Sequence, residues 1–212
     1  MKKNDLPTIA NFNLNIDLKR LRQTTNELSK KFVDVKTANP MLCDNHMELV
    51  KNVYDNFEQI NLTTPSEILP YTSSIKERLK RREEHLYNIP TEDYTGSIFE
   101  EIVTQCKSPA SRIRITKLSP KKIIPFHVDY DVSYAVRCIV PIYSDKNVIN
   151  LFKRNNKIEA YNLEDGTANF LNIGYPHAVV NMSDNPRIAL MFSLDGVDDV
   201  QRYSKRGSDQ GV

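Results

Sequence analysis

From Ser111 to Gly196 the chain alternates in character with a period close to two, and this narrows its possible folds more than any other feature. Eight short segments carry strand-forming residues: S-R-I-R-I-T-K-L, I-I-P-F-H-V-D-Y, Y-A-V-R-C-I-V-P-I, V-I-N-L-F-K, K-I-E-A-Y-N-L, A-N-F-L-N-I, H-A-V-V-N-M and R-I-A-L-M-F-S-L. Turn formers separate them. Asn155-Asn156 marks a hairpin, and Glu164-Asp165-Gly166 and Ser183-Asp184-Asn185-Pro186 are the other clear turns. Strands of this number and spacing predict an antiparallel jelly roll, whose mouth brings side chains from several strands to one ligand.

The first hundred residues carry a different pattern and predict a mostly helical layer. A short apolar stretch near Ile9 to Leu14 suits an edge strand, and Ile16, Leu18, Leu21, Leu28 and Phe32 then recur amphipathically up to a break at Asn39-Pro40. A second helix is predicted over N-H-M-E-L-V-K-N-V-Y-D-N-F. A third has its start signature at Thr64-Pro65-Ser66-Glu67, breaks at Pro70 and resumes through K-E-R-L-K-R-R-E-E-H-L to about Tyr87. The mixed-sign run from Lys76 to Glu84 reads as a solvated helix face, with His85 structural or exposed at its end. A last helix, S-I-F-E-E-I-V-T-Q-C, precedes Ser108-Pro109. The expected class is α+β: a helical layer over 1–110, a double-stranded beta-helix core over 111–198 and a disordered tail over 199–212.

A formal net charge of +2 in 212 residues gives no electrostatic case for nucleic acid or an anionic membrane as partner. The opening M-K-K-N-D-L-P leads into no apolar leader, and no run is long enough to span a bilayer, so a soluble cytoplasmic protein is expected. Cys43, Cys106 and Cys138 are widely spaced and form no C-x-x-C pair, which argues against a disulfide framework or a zinc knuckle. The sequence leaves the oligomeric state open.

Chemistry concentrates in K-I-I-P-F-H-V-D-Y. On a strand, His127 and Asp129 point to the same face and their donor atoms converge. Imidazole and carboxylate together suit a divalent transition metal such as iron. Chance supplies a His-x-Asp/Glu in roughly every second chain of this composition, and His46-Met47-Glu48 is a second copy here. That copy lies in the predicted second helix, where positions i and i+2 diverge and cannot chelate one ion. His177, in N-I-G-Y-P-H-A-V-V-N, is the other histidine of the strand-rich half. Alone it reads as a core histidine; with His127 and Asp129 it completes three ligands on one side of an ion, leaving adjacent positions open. Arg187 opens the last strand across the Ser183 to Pro186 turn, beside the strand of His177. An arginine inside a barrel needs an anion, and a dicarboxylate cosubstrate supplies one.

The segments R-I-R-I-T-K-L-S-P-K-K-I-I-P-F-H-V-D, R-C-I-V-P-I, V-V-N-M-S-D after His177, and R-I-A-L-M-F-S-L-D resemble, in order and spacing, the aspartyl/asparaginyl beta-hydroxylase family of iron(II)- and 2-oxoglutarate-dependent dioxygenases, which includes bacterial proline hydroxylases. The resemblance covers roughly Ser111 to Gly196. It implies iron on His127, Asp129 and His177, the distal carboxylate of 2-oxoglutarate on Arg187, and Arg137 lining the cosubstrate or substrate side. It implies dioxygen as co-reactant and succinate and carbon dioxide as coproducts of hydroxylation. Asp129 supplies a full triad where some members lack the aspartate, and Ile139 stands where many have histidine, which leaves the substrate open. Arg112 and Arg114 share one side of their strand, either solvent or pocket wall. With Tyr130 they are candidate substrate contacts, and the three arginines favour a carboxylate-bearing small molecule, a proline-like free amino acid ahead of a peptidyl side chain. The alternative is a non-catalytic cupin-like module holding zinc or a small anion, for which the same three ligands would serve.

Overall fold

The computed structural model describes residues 6–41, 57–70 and 72–200. Among them the eight expected strands all form: β6 (Ala110–Leu118), β7 (Lys122–His127), β8 (Val136–Tyr143), β9 (Val148–Arg154), β10 (Lys157–Tyr161), β11 (Ala168–Leu171), β12 (His177–Asn181) and β13 (Arg187–Leu194). Five further strands precede them: β1 (Ile9–Phe12), β2 (Val33–Asp34), β3 (Phe57–Asn61), β4 (Thr63–Thr64) and β5 (Ile89–Pro90). The helices are α1 (Leu18–Glu27), α2 (Val35–Ala38), α3 (Ile75–Lys80), α4 (Glu83–Leu86) and α5 (Ile98–Val103).

Two antiparallel sheets make the jelly roll, a seven-stranded one in the order β1-β11-β8-β13-β6-β3-β2 and a four-stranded one in the order β10-β9-β12-β7. Strand periodicity decides what each face of the larger sheet meets. Ile113 and Ile115 of β6, Val136, Cys138, Val140 and Ile142 of β8, and Leu190, Phe192 and Leu194 of β13 pack with Leu21 of α1 and Phe99 and Ile102 of α5. The alternate residues turn inward. Leu118 packs with Ile124, Val148 and Val179, and Ile139 and Ala189 pack with Phe152, Leu171 and Ile173, in clusters that join the two sheets. Arg114, Arg137 and Arg187 share this inward parity, which aims three guanidinium groups at the interior.

Among the described residues, the N-terminal hundred are less helical than their sequence suggests. They contribute an edge strand, β1, at the expected place, and also β2 and β3, which extend the larger sheet beyond β6. No helix starts at Thr64: the chain there pairs as β4 with β5 and then bends, and α3 begins only where Ser74 accepts the Glu77 N–H. The Pro65 signature loses because Thr63 is tied by its hydroxyl to the Ile113 N–H of β6. The predicted second helix, with His46 and Glu48, lies outside the described residues except for its last residue, Phe57, which belongs to β3. Most of the expected tail also lies outside them. At its start, though, Asp199 and Val200 are buried, and the Asp199 carboxylate accepts from the Lys107 and Ser108 N–H groups. Among the described residues no helix is long and apolar enough to cross a membrane.

Candidate active site

The interior of the jelly roll opens into a cavity of about 250 Å³. His127, Asp129, His177, Arg187, Arg137, Arg112, Arg114 and Tyr130 all line it, so every candidate from the sequence arrives at one place.

His127 ends β7 and His177 begins β12, directly opposite each other in the antiparallel pair. Their ring centroids are 4.2 Å apart. Asp129 lies just past the strand rather than on it: β7 stops at His127, and the Asp129 N–H donates to the carbonyl of Ile173 instead of to a ladder partner. The carboxylate still reaches His127, with Oδ1 3.7 Å from Nε2. One donor atom from each of the three residues lies within 4.8 Å of the others.

Each imidazole is oriented by a backbone carbonyl. Nδ1 of His127 lies 2.8 Å from the carbonyl oxygen of Pro125, and Nδ1 of His177 lies 3.0 Å from that of Tyr175. A carbonyl only accepts, so each Nδ1 carries a proton and Nε2 is the nitrogen of each ring that is left to ligate a metal. Phe152 stacks on His177 at 5.8 Å between centroids and closes one side of it. Burial is the main cause that pulls the His177 pKa down to about 4, with the neighbouring His127 acting the same way against the Asp129 carboxylate. Asp129 is opposed by desolvation, but Arg137, His127 and His177 outweigh it and hold the carboxylate below its ordinary range. Two neutral imidazoles and one carboxylate form the donor set that suits iron(II) with open positions.

Arg187 is 2% exposed, and its guanidinium makes no hydrogen bond or ion pair with the described residues; its Nη2 is buried without an acceptor. Burial alone lowers its pKa to about 10. A charged guanidinium held this way is a fixed receptor for an anion.

The opposite wall holds a group that the sequence reading missed. Glu84 of α4 is fully buried. It accepts from Arg112 at 2.6 Å, Arg137 at 3.0 Å, the Tyr130 hydroxyl at 2.8 Å and the Ser193 hydroxyl at 2.8 Å. Desolvation works against its charge, yet Arg112, Arg137 and Arg114 win and keep it ionised far below the ordinary range. The run from Lys76 to Glu84 is a solvated face at Lys76, Glu77, Lys80, Arg81 and Arg82, but Glu83 and Glu84 at its end turn inward. Arg78 is also buried, with its guanidinium on the carbonyls of Ser73, Met41 and Pro70 and 3.3 Å from Glu83. His85, by contrast, sits half-buried with Nε2 2.9 Å from the Tyr134 carbonyl, away from the triad.

Arg112 and Arg114 face the pocket rather than solvent. Arg112 has φ +47°, within an irregularity where β6 and β13 slip register between Met191 and Ser193, and this bulge turns its side chain toward Glu84. Arg137 links the two halves of the site, 3.0 Å from Glu84 and 3.7 Å from Asp129.

The family profile of the aspartyl/asparaginyl beta-hydroxylases matches residues 74–195, more than half of the chain. The chain belongs to this family. As a beta-hydroxylase family member it is an iron(II)- and 2-oxoglutarate-dependent dioxygenase. Its fold is similar to that of HygX from Streptomyces hygroscopicus, whose structure holds nickel, 2-oxoglutarate and hygromycin B. The TM-score is 0.52 at 9% identity, over 92% of this chain and 85% of that one. An oxidoreductase of the 2-oxoglutarate-Fe(II) oxygenase family from Burkholderia pseudomallei aligns at TM-score 0.41 and 11% identity, over 70% of this chain and 75% of that one. A cupin domain from Bordetella pertussis aligns at 0.32 and 17%, over 42% and 86%. No curated protein matches the sequence. Membership in a hydroxylase family sets aside the non-catalytic cupin-like alternative.

Proposed function

We propose that this beta-hydroxylase family member hydroxylates a small carboxylate-bearing molecule, a free amino acid such as proline ahead of a peptidyl side chain. In this reading iron(II) is held by His127, Asp129 and His177, and the distal carboxylate of 2-oxoglutarate by Arg187. One observation carries the reading: a buried guanidinium with no partner among the described residues shares a cavity with a three-donor metal set. A zinc site alone gives such an arginine no purpose, whereas a diacid chelating at one end and anchored at the other satisfies both.

Iron(II), when bound, would let dioxygen divide its two oxygen atoms between 2-oxoglutarate, which leaves as succinate and carbon dioxide, and the substrate, whose C–H becomes C–OH. The chain does the rest. His127 and His177 present Nε2 lone pairs in a fixed orientation, and Asp129 neutralises part of the metal charge. Arg137 fixes Asp129 from behind. Phe152, Ile139, Leu171 and Ile173 keep the interior apolar, which excludes water and strengthens each charge pair within. Arg112, Arg114 and Arg137 make the far wall cationic and favour a carboxylate on the substrate.

The test is succinate formation from 2-oxoglutarate by the iron(II)-loaded protein, with each of the twenty amino acids in turn and the product gaining the mass of one oxygen. Stimulation by a peptide library and by no free amino acid would reverse the order of substrates. Absence of 2-oxoglutarate binding would overturn the assignment of Arg187.

A further inference from the structure

Four guanidinium groups line the cavity, and they do not form one cluster. The pKa of Arg187 is shifted by burial alone, without contribution from another charge, so it stands apart from the others. Along β13 it opens the strand opposite Leu118 of β6, whereas Met191, four residues on, lies opposite Arg114. Four residues of strand span about 13 Å. A diacid anchored at Arg187 and chelated at the triad has no third anionic group to give the far wall.

That wall is short of negative charge. Arg112, Arg114 and Arg137 share one buried carboxylate, Glu84, and Asp129 adds a second beside Arg137 alone, which leaves a surplus of one positive charge. Glu84 shares itself unequally. One oxygen takes Arg112 at 2.6 Å together with Tyr130; the other takes Arg137 at 3.0 Å together with Ser193. Arg114 comes only to within 3.9 Å of an oxygen already engaged twice. Its hydrogen bonds go to the Arg112 carbonyl and to the sulfur of Met191, a weak acceptor. Arg137 has Asp129 as a second neighbouring carboxylate; Arg114 has no other among the described residues.

From this partition, and resting on the function proposed above, we infer that Arg114 is the specificity-determining residue that receives the carboxylate of the substrate. Glu84 is the positioning residue that leaves it available by occupying Arg112 and Arg137. The electrostatics agree with the geometry. Glu84 holds the Arg112 pKa above its ordinary value despite burial, whereas burial and the repulsion of Arg137 and Arg112 push Arg114 down to about 9. An arriving carboxylate relieves that repulsion, and an amide or ester in its place does not. The carboxylate has two possible sources, the α-carboxylate of a free amino acid or the side chain of a peptidyl aspartate or glutamate.

The experiment is calorimetric titration of the anaerobic holoenzyme, loaded with iron(II) and 2-oxoglutarate. The probes are the twenty amino acids, N-acetyl-aspartyl amide and N-acetyl-glutamyl amide, and the carboxamide counterpart of each. At least one carboxylate should bind, and its carboxamide should bind about 10- to 100-fold more weakly, the loss of a charge-assisted hydrogen bond. Arg114→Gln should bring the carboxylate down to the affinity of the amide and leave the affinity of the amide within about threefold, while Arg114→Lys recovers part of the difference. Which probe binds tells the free acid from the peptidyl one. Equal binding of acid and amide by the wild type, binding of no carboxylate in the set, or an Arg114→Gln protein that keeps the preference would each overturn the inference. The comparison of acid with amide needs no variant to fold. Binding of 2-oxoglutarate, measured first in the same titration, belongs to Arg187, and its failure would strike the proposed function instead.

Discussion

Replacing Arg187 with methionine should move stability and cosubstrate affinity in opposite directions. Keeping the guanidinium charged at neutral pH, where burial has lowered its pKa from the ordinary arginine value to about 10, costs the ligand-free fold about 3 kcal/mol. The sign is that of a base with a depressed folded pKa: the unfolded chain binds the extra proton, so the cost is present in full below about pH 10 and disappears as the pH rises toward the ordinary arginine pKa. Methionine removes the charge and fills much the same volume in a site lined by Phe57, Ile124 and Val179. After allowance for lost packing, the ligand-free variant should gain about 1–2 kcal/mol, or roughly 3–6 °C for a chain of this length. The affinity for 2-oxoglutarate should fall by about 2–4 kcal/mol, roughly 30- to 1,000-fold. Differential scanning calorimetry without ligand, followed by anaerobic titration of 2-oxoglutarate into the iron(II) protein, measures both. A variant less stable than the wild type with undiminished affinity would refute the reasoning, because it would mean that Arg187 has a protein partner and that the cosubstrate is anchored elsewhere.

Alanine at His127, Asp129 or His177 should each abolish stoichiometric iron binding in an elemental assay, while His85→Ala, bonded to the Tyr134 carbonyl instead, leaves it intact. Glu84→Gln should destabilise the fold by about 3–5 kcal/mol in urea, because it removes the carboxylate that Arg112, Arg114 and Arg137 share and leaves only Asp129, beside Arg137. The depressed pKa of Glu84 adds acid lability, its contribution being complete above the ordinary carboxylate pKa and lost as the pH falls well below it. For His177 the folded pKa of about 4 lies under the ordinary 6.5, so the unfolded chain takes up the proton first. The metal-free protein should therefore lose up to about 3 kcal/mol between pH 6.5 and 4, and His177→Gln should flatten that slope in a series of urea titrations.

The strand-rich half was legible because alternation is a local signal: β6, β8, β11 and β13 each have one row of residues packed toward the helices and one turned toward the other sheet. The histidines were legible for the same reason, being few and set at the ends of strands. Glu84 was hidden. It sits in a run of charges at ordinary surface density, and its three arginine partners lie 28, 30 and 53 positions further along the chain, so only the folded structure brings them together. The side toward which Arg112 and Arg114 point was likewise undecidable, since a bulge resets the parity of β6 at Arg112. The strands β2 and β3 escaped notice because pairing decides them, β3 on β6 and the two-residue β2 on β3.

The two metal-facing imidazoles are each steered by the carbonyl two residues upstream, in P-F-H and in Y-P-H, with a proline inside each tripeptide. A carboxylate in that role could be protonated and would let the ring turn over; an amide carbonyl has no such state. The tautomer of both ligands is thus written into three-residue stretches of backbone and stays the same at any pH at which the barrel is folded. Acid can displace a metal from this site by protonating Nε2, but it cannot scramble the aim of the rings, and returning to neutral pH restores the same coordination face.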